Sequence, residues 1–359
     1  MSKKICLLLG SLSSGGAEKV AANMSISLKK RGCEIHVVSM RDEIDYKFEG
    51  QLYNFGKVKT KYGKLRAFFK FKKYFKDNQF DFIIDHRTRS NFFKELLFSK
   101  LVFQHSKVIY CVHSYHLEYY FSFLSLPWLS RLPHVKSSFF VAVCNAINDK
   151  LQELLNIKST TIYNFVKFDG LLADSATDSN NLGNYIIGVG RFNKIKQFDK
   201  LIKAYSNSKL IEENVKLVLL GDGPEKVNLQ RLIAKLKLEP YIKLFAFRKK
   251  PMALINKAKA LVLSSKEEGF PMVLLEALTL KTPVIAFNCK SGPNEIIEHG
   301  INGLLVEDQN EDELSLALNK LLLDEKLYAE IKENLNKGIE KFSEEKVIQK
   351  WINFFESEM

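Results

Sequence analysis

At 359 residues, 46% of them hydrophobic, the chain exceeds what one core usually supports and reads as two globular domains. No apolar run approaches the roughly 20 residues of a membrane span, and the N-terminal KKICLLLGSL is too short for a signal peptide, so a cytoplasmic protein is expected. The net charge of +13 lies wholly in the first half: residues 1–165 hold 26 Lys and Arg against 13 Asp and Glu, and residues 166–359 hold 28 of each. Such a half favours phosphate-rich partners, either nucleic acid or an anionic membrane surface.

In chain order, the first half offers strands at ICLLLG, EIHVVSM, FDFIID, KVIYCVH and FFVAVC, with helices between them, the first from about Ala17 to Lys30. One of the intervening segments, Lys57 to Lys76, has nine Lys or Arg, six aromatics and no acid. Leu65, Phe68, Phe71 and Phe75 are expected to share a face on the sheet while the lysines meet solvent or an anionic bilayer. FSFLSLPWLSRL, Phe121 to Leu132, adds exposed-looking Phe, Leu and Trp128 as a second membrane contact or an acceptor groove. FDGLLADSATDSNNLGN has the composition of a linker. Strands follow at NYIIGVG, KLVLLGDG, IKLFAF, ALVLSS, TPVIAF and GLLV. Alternating strands and helices predict an α/β fold of two doubly wound, Rossmann-like domains with parallel sheets, facing a central cleft. The expected division is 1–165, a linker at 166–184, a second domain at 185–338, and a C-terminal helix at 339–359 packing back on the first domain. The five cysteines are scattered without a Cys-x-x-Cys pair, which argues against both a disulfide framework and zinc.

The densest chemistry lies in EEGFPMVLLEALTLKTPVI. Pro271 suits a first helical turn, whose free N–H groups form an anion site. Glu276 stands among Leu274, Leu275, Ala277 and Leu278 and needs a partner, which two ribose hydroxyls would supply. Glu268, just before the helix, would face a group beyond the phosphates, such as a sugar hydroxyl. The plainer alternative is that Glu268 caps the helix and Glu276 pairs with a lysine. In GVGRFNKIKQF a strand ends at Gly190, and Arg191 and Lys196 follow, placed to hold a diphosphate. This is no dinucleotide fingerprint, because Asn193 stands where the third glycine would be.

Taken in order, SSGGAEKVAANMSISLKKRG, GVGRFNKIKQFDKLIKAY, LLGDGPE, EEGFPMVLLEALTLKTPVIAF and SGPNEIIEHGINGLLV resemble the family-4 retaining glycosyltransferases of the GT-B fold. The resemblance implies a nucleotide-sugar donor, UDP- in preference to GDP-, gripped at the diphosphate by Arg191 and Lys196 and at the ribose by Glu276. It implies that Glu268, with the backbone around Gly269 and Phe270, meets the transferred sugar, and that Met272 and Val273 belong to the donor site. Gly15 and Gly16 correspond to a glycine loop near diphosphate or acceptor, and His113 to an active-site histidine contacting the donor sugar. Arg191, Lys196, Glu268 and His113 are thereby the expected catalytic set. His86, Arg87 and His116 are candidates for acceptor binding, and Phe247 or Arg248 for the base. Ala246 and Gln197 replace usual glycines, the second change being expected to be harmless. No Asp-x-Asp occurs, and neither metal nor other cofactor is expected, cations and helix N–H groups balancing the leaving diphosphate. The implied acceptor is a saccharide or a polyprenyl-diphosphate-linked saccharide. Two rivals remain: a nucleotide-sugar epimerase or phosphorylase on the same fold, and a basic nucleic-acid-binding protein, for which no reading motif appears.

Overall fold

The computed structural model describes residues 2–13, 15–103, 106–135, 138–167, 182–246 and 251–358. It divides into two compact units, Met1–Asn164 with Glu344–Met359, and Phe165–Ser343. Residues 168–181, most of the expected linker, lie outside the described residues.

The first unit is built on seven strands: β1 (Lys4–Leu9), β2 (Glu34–Ser39), β3 (Gln51–Asn54), β4 (Phe82–Asp85), β5 (Lys107–Val112), β6 (Ser138–Ala142) and β7 (Thr160–Thr161). Their order is 3-2-1-4-5-6-7 and every ladder is parallel. The central strands are near-continuous apolar runs, as a sheet covered on both faces requires. The order reverses between β1 and β4, and register pairs Asp85 with Tyr110. The carboxyl ends of β1, β4 and β5 therefore deliver Gly10, His86 and His113 to one edge, where ligands of such sheets bind. The short strands β3 and β7 were not anticipated; four and two residues give too little periodicity to read.

Helix α1 (Gly16–Lys30) starts at the glycine pair, with Glu18 in its first turn and Lys29 and Lys30 in its last, matching its dipole. Helix α2 (Phe55–Asn78) covers one face of the sheet and is broken at Gly63, where φ is 75° and ψ 166°. Phe71 and Phe75 enter the core with Phe98 and Phe103 of the next helical region, and Phe68 packs against them. Leu65 does not join this face: it follows the Gly63 break and is 71% exposed. Helix α3 (Phe92–Leu101) and the short α4 (Pro127–Arg131) follow. The C-terminal helix, Glu344–Ser357, belongs to this unit: Ser27 Oγ–H donates to Glu344 Oε1 at 2.5 Å, and the Phe355 ring lies 5.0 Å from that of Phe82.

The second unit has β8 (Tyr185–Val189), β9 (Lys216–Leu220), β10 (Ile242–Phe245), β11 (Ala260–Leu263), β12 (Val284–Phe287) and β13 (Gly303–Val306) in the order 10-9-8-11-12-13, again all parallel. These are the six strands that the apolar runs foretell. The reversal falls between β8 and β11, which brings the loop after Val189 beside the loop after Leu263. Gly221, just past β9, is required by close approach: a Cβ there would lie 1.9 Å from the Gly190 carbonyl oxygen.

Candidate active site

In the second unit the two loops at the strand-order reversal are stitched together. The Lys266 N–H donates to the Ile195 carbonyl at 2.8 Å, and Ser264 Oγ–H donates to the Lys196 carbonyl at 2.9 Å. Asn193, which breaks the glycine pattern, has a positive role: its Oδ1 accepts the Lys196 N–H at 3.0 Å and orders the turn. The Lys196 side chain runs under Gly190, where a Cβ would come within 3.1 Å of it, and its Nζ reaches Glu268 Oε1 at 2.5 Å. Both ends of this pair are largely shielded from water, at 21% and 12% exposure, so the contact is stronger than a surface ion pair. Sequence placed Lys196 on the diphosphate and Glu268 on the sugar; here the two neutralise each other.

Glu268 is held from behind by Ser291, whose Oγ–H donates to the Glu268 carbonyl. Next to it, Gly292 adopts φ 93°, and a Cβ there would stand 2.4 Å from Pro271 Cδ, so only glycine lets these segments meet. Ser291 and Gly292 were read only as part of a motif; their contacts are tertiary and leave no periodic signal. Cys289 lies in the same wall, its thiol pushed up to about 12 by burial, with the Glu268 charge adding to the shift. Pro271 precedes helix α9 (Met272–Thr279), whose first N–H groups at Met272 and Val273 sit at half-buried positions. Phe270 is buried against Phe342, Gly269 is half-buried, and Glu276 is buried inside α9 at 9% exposure. Arg191 is exposed directly after Gly190. Gln197 occupies a left-handed conformation, φ 46°, before helix α6 (Phe198–Ser206), so the glycine it replaces had a conformational purpose; its Nε2 donates to Gln309 Oε1 at 2.7 Å. Phe247 and Arg248 lie outside the described residues.

In the first unit, the edge of the sheet carries a chain of buried ionisable groups. Asp85, fully buried, accepts from Arg87 Nε at 2.9 Å and Nη2 at 2.7 Å, and Arg87 Nη2 also donates to Glu95 Oε2 at 2.8 Å. Arg87 is 3% exposed and its fork is spent on these two carboxylates. It therefore braces the end of β4, and its expected acceptor role is corrected: the carboxyl end of the strand turns this side chain inward. Arg89, equally buried, donates to the carbonyls of Asp85, Arg87 and Cys111 and stacks on Tyr110 and Tyr120. It thus clamps the ends of β4 and β5 together.

His86 and His113 project from those two ends and meet, Nδ1 of His86 lying 2.9 Å from Nε2 of His113. Burial, opposed in part by Asp85, pulls His86 down to about 4, and burial followed by the neighbouring His86 and Arg89 pulls His113 well below the usual imidazole range. Both rings are neutral near pH 7. With Cys111 they gather three donor atoms within 4.8 Å of one another, the geometry of a possible metal cluster. The chemistry argues otherwise: burial holds the Cys111 thiol far above its ordinary range, and only a thiolate ligates well. His116 faces elsewhere, its Nδ1 2.5 Å from Glu118 Oε1. At the start of α1, the Glu18 carboxylate folds over Gly15, where any Cβ would lie 1.9 Å from Oε2, whereas nothing lies within 4 Å of a Cβ on Gly16. Burial raises the Glu18 carboxyl, with Arg41 opposing.

Residues 14–169 match the model of Glycosyltransferase Family 4, and residues 174–338 match that of Glycosyl transferases group 1. The chain is 25% identical, over 98% of its length and 99% of the relative's, to the amylovoran biosynthesis glycosyltransferase AmsD of Erwinia amylovora. It is 27% identical, over 98% and 99%, to the N-acetylgalactosamine-N,N'-diacetylbacillosaminyl-diphospho-undecaprenol 4-alpha-N-acetylgalactosaminyltransferase of Campylobacter jejuni. Its fold matches that of Anabaena HepE crystallised with UDP, at a TM-score of 0.78, 19% identity and coverage of 99% and 100% of the two chains. Two parallel Rossmann-like sheets with these motifs, spanned almost end to end by the two models, place the chain in glycosyltransferase family 4, with the GT-B fold.

Proposed function

We propose that this glycosyltransferase retains anomeric configuration and moves a hexose-type sugar from a nucleotide-diphosphate sugar, UDP- in preference to GDP-, to a saccharide or a polyprenyl-diphosphate-linked saccharide. The setting would be assembly of a surface polysaccharide, lipopolysaccharide or related glycan on the inner face of the plasma membrane. The observation that carries this reading is the Lys196–Glu268 pair at 2.5 Å, set just before the N-terminus of α9. A diphosphate bound there would draw on the Lys196 ammonium, the Arg191 guanidinium and the Met272 and Val273 N–H groups, each a donor suited to anionic oxygen. Lys196 then turns from Glu268 toward phosphate, and the freed carboxylate accepts from sugar hydroxyls. Glu276 in α9 takes the ribose, and His113 contacts the sugar. Attack from the front face lets a leaving phosphate oxygen take the acceptor's proton, so no protein base is assigned, and cations in place of a metal balance the departing charge. The relatives named above, one for amylovoran and one for an undecaprenol-linked acceptor, support the acceptor class.

The membrane part of the proposal rests on the first unit. Leu65, Phe69 and Phe93 are 59–79% exposed on α2 and α3, which also carry lysines, and Trp128 on α4 is 65% exposed. Each near-surface cation contributes about 1 kcal/mol toward an anionic leaflet. Among the described residues, no helix is long and apolar enough to cross a membrane. The test of the donor site is calorimetric binding across a panel of UDP- and GDP-sugars with Lys196→Ala and Glu276→Ala. Each variant should stay folded and lose about tenfold or more in donor affinity, the worth of one charged hydrogen bond. Unchanged affinity in both ends the assignment.

A further inference from the structure

His86 and His113 make one contact that the proposed chemistry does not use. Their rings lie 5.1 Å apart between centroids, tilted by 31°, with a single close approach from Nδ1 of His86 to Nε2 of His113. Each neutral imidazole carries one N–H and one lone pair. A hydrogen bond between these two atoms needs one proton in the gap. If His86 donates, both rings hold their proton on Nδ1; if His113 donates, both hold it on Nε2. Unlike tautomers would place two protons or two lone pairs face to face. The tautomer of one ring therefore dictates that of the other.

The surroundings make this bond directive. His86 is 6% exposed, and its N–H donates to the Leu8 carbonyl at 2.9 Å, which fixes it to β1. The His113 N–H donates to Tyr120 Oη at 3.0 Å, which fixes the backbone of the second histidine. Arg89 ties the two strand ends through the Asp85 and Cys111 carbonyls at 3.0 and 3.2 Å. Beyond the shared bond, His86 Nε2 and His113 Nδ1 are buried with no hydrogen-bond partner among the described residues, so neither competes for the ring orientation. Among the described residues, the only side-chain polar contact that orients the His113 ring is His86.

We propose that His86 is a positioning residue that holds the His113 imidazole in one orientation and one tautomer for its contact with substrate. The inference rests on the reading of His113 as a substrate contact and replaces an acceptor-binding role for His86. Its groundwork is also electrostatic: Arg89 acts on both rings and Asp85 on His86, the Cys111 thiol lies beside them, the Tyr120 hydroxyl accepts the His113 backbone N–H, and burial keeps both rings neutral, so the single shared proton persists near pH 7.

The test starts with the unaltered full-length protein. Long-range nitrogen–proton correlation in histidine-labelled protein should show His86 and His113 in the same tautomer, and unlike tautomers overturn the pairing. His86→Leu keeps bulk but removes the bond: the His113 signals should become a tautomer mixture, and turnover should fall about tenfold or more while the donor KM changes little. His86→Asn puts an amide nitrogen or oxygen near the lost Nδ1 and should restore most of the turnover and a single His113 tautomer. A structural role alone would not predict that rescue together with an unshifted KM. If His86→Leu leaves the His113 signals and turnover unaltered, the inference is overturned. If the tautomers match but His113→Ala turns over like the unaltered protein, the substrate role of His113 fails instead, and with it the catalytic value of the pair.

Discussion

The two units share a fold and differ in how they spend charge. In the second unit, where 26 cations nearly balance 24 anions, the key ionic pair of Lys196 and Glu268 lies on loops at the strand-order reversal and keeps partial access to water. In the first, despite its excess of 11 positive charges, the ionic groups nearest the equivalent sheet edge are sealed: Asp85, Arg87, Arg89 and Glu95 are all at most 6% exposed. The surplus lysines lie elsewhere, on α2 and α3. A charged residue at a strand's carboxyl end is therefore not by itself a ligand contact. What distinguishes the two edges is whether a counter-charge already saturates the group in the core.

The sharpest way to break this comparison is Arg87→Ala. It leaves the Asp85 and Glu95 carboxylates buried without their partner, which costs about 3–5 kcal/mol. Urea unfolding of the full chain should show that loss, and a variant that folds normally but fails only in acceptor binding would reverse the assignment. Acid is the next lever. His86 titrates at about 4 in the folded protein and His134 at about 3, both lowered first by burial, against 6.5 for an ordinary imidazole. The unfolded chain therefore binds these protons first, and stability present above pH 6.5 is lost as pH falls toward 4. Each ring should remove about 2 kcal/mol by pH 5, visible as a falling urea midpoint between pH 7 and pH 5 and reduced in His134→Phe.

A smaller effect is expected at the exposed apolar side chains. Phe93→Ser with Leu65→Ser should weaken binding to vesicles containing anionic lipid by about tenfold, corresponding to partial loss of two buried apolar side chains, with donor affinity intact. Equal sedimentation of the two proteins with such vesicles would remove the bilayer from the account. Smallest is Gln197→Gly, which relieves a left-handed non-glycine conformation at the cost of the bond to Gln309. A net gain of about 0.5 kcal/mol is expected, read as a higher thermal midpoint.

Much of this architecture was legible in the residues. Long apolar runs such as LVLLGDG and VIAF can be little else than buried parallel strands, and all six strands of the second unit follow from them. The candidate loops of the second unit were legible because their chemistry is local: Arg191, Lys196, Glu268 and Glu276 fall at fixed offsets from strand ends and a helix start. The Asp85–Arg87–Glu95 bracing was not, since His86, Arg87 and Arg89 look alike in FDFIIDHRTR and only packing decides which way each points. Leu65 misled for a related reason: the helical stripe it belongs to is interrupted by Gly63, and a periodic count does not register a break in the axis. The contact between His86 and His113 joins residues 27 apart and has no local signature.

The helix Glu344–Ser357 completes the unit that begins at the other end of the polypeptide, setting Phe355 against Phe82 and Phe354 against Phe139. During synthesis the ribosome releases the body of that unit first and this helix only after the second unit. Until that helix emerges, Phe82 and Phe139 lack the rings that Phe355 and Phe354 set against them. The nascent intermediate thus carries an apolar scar through the whole translation of the second unit, a natural landing place for chaperones.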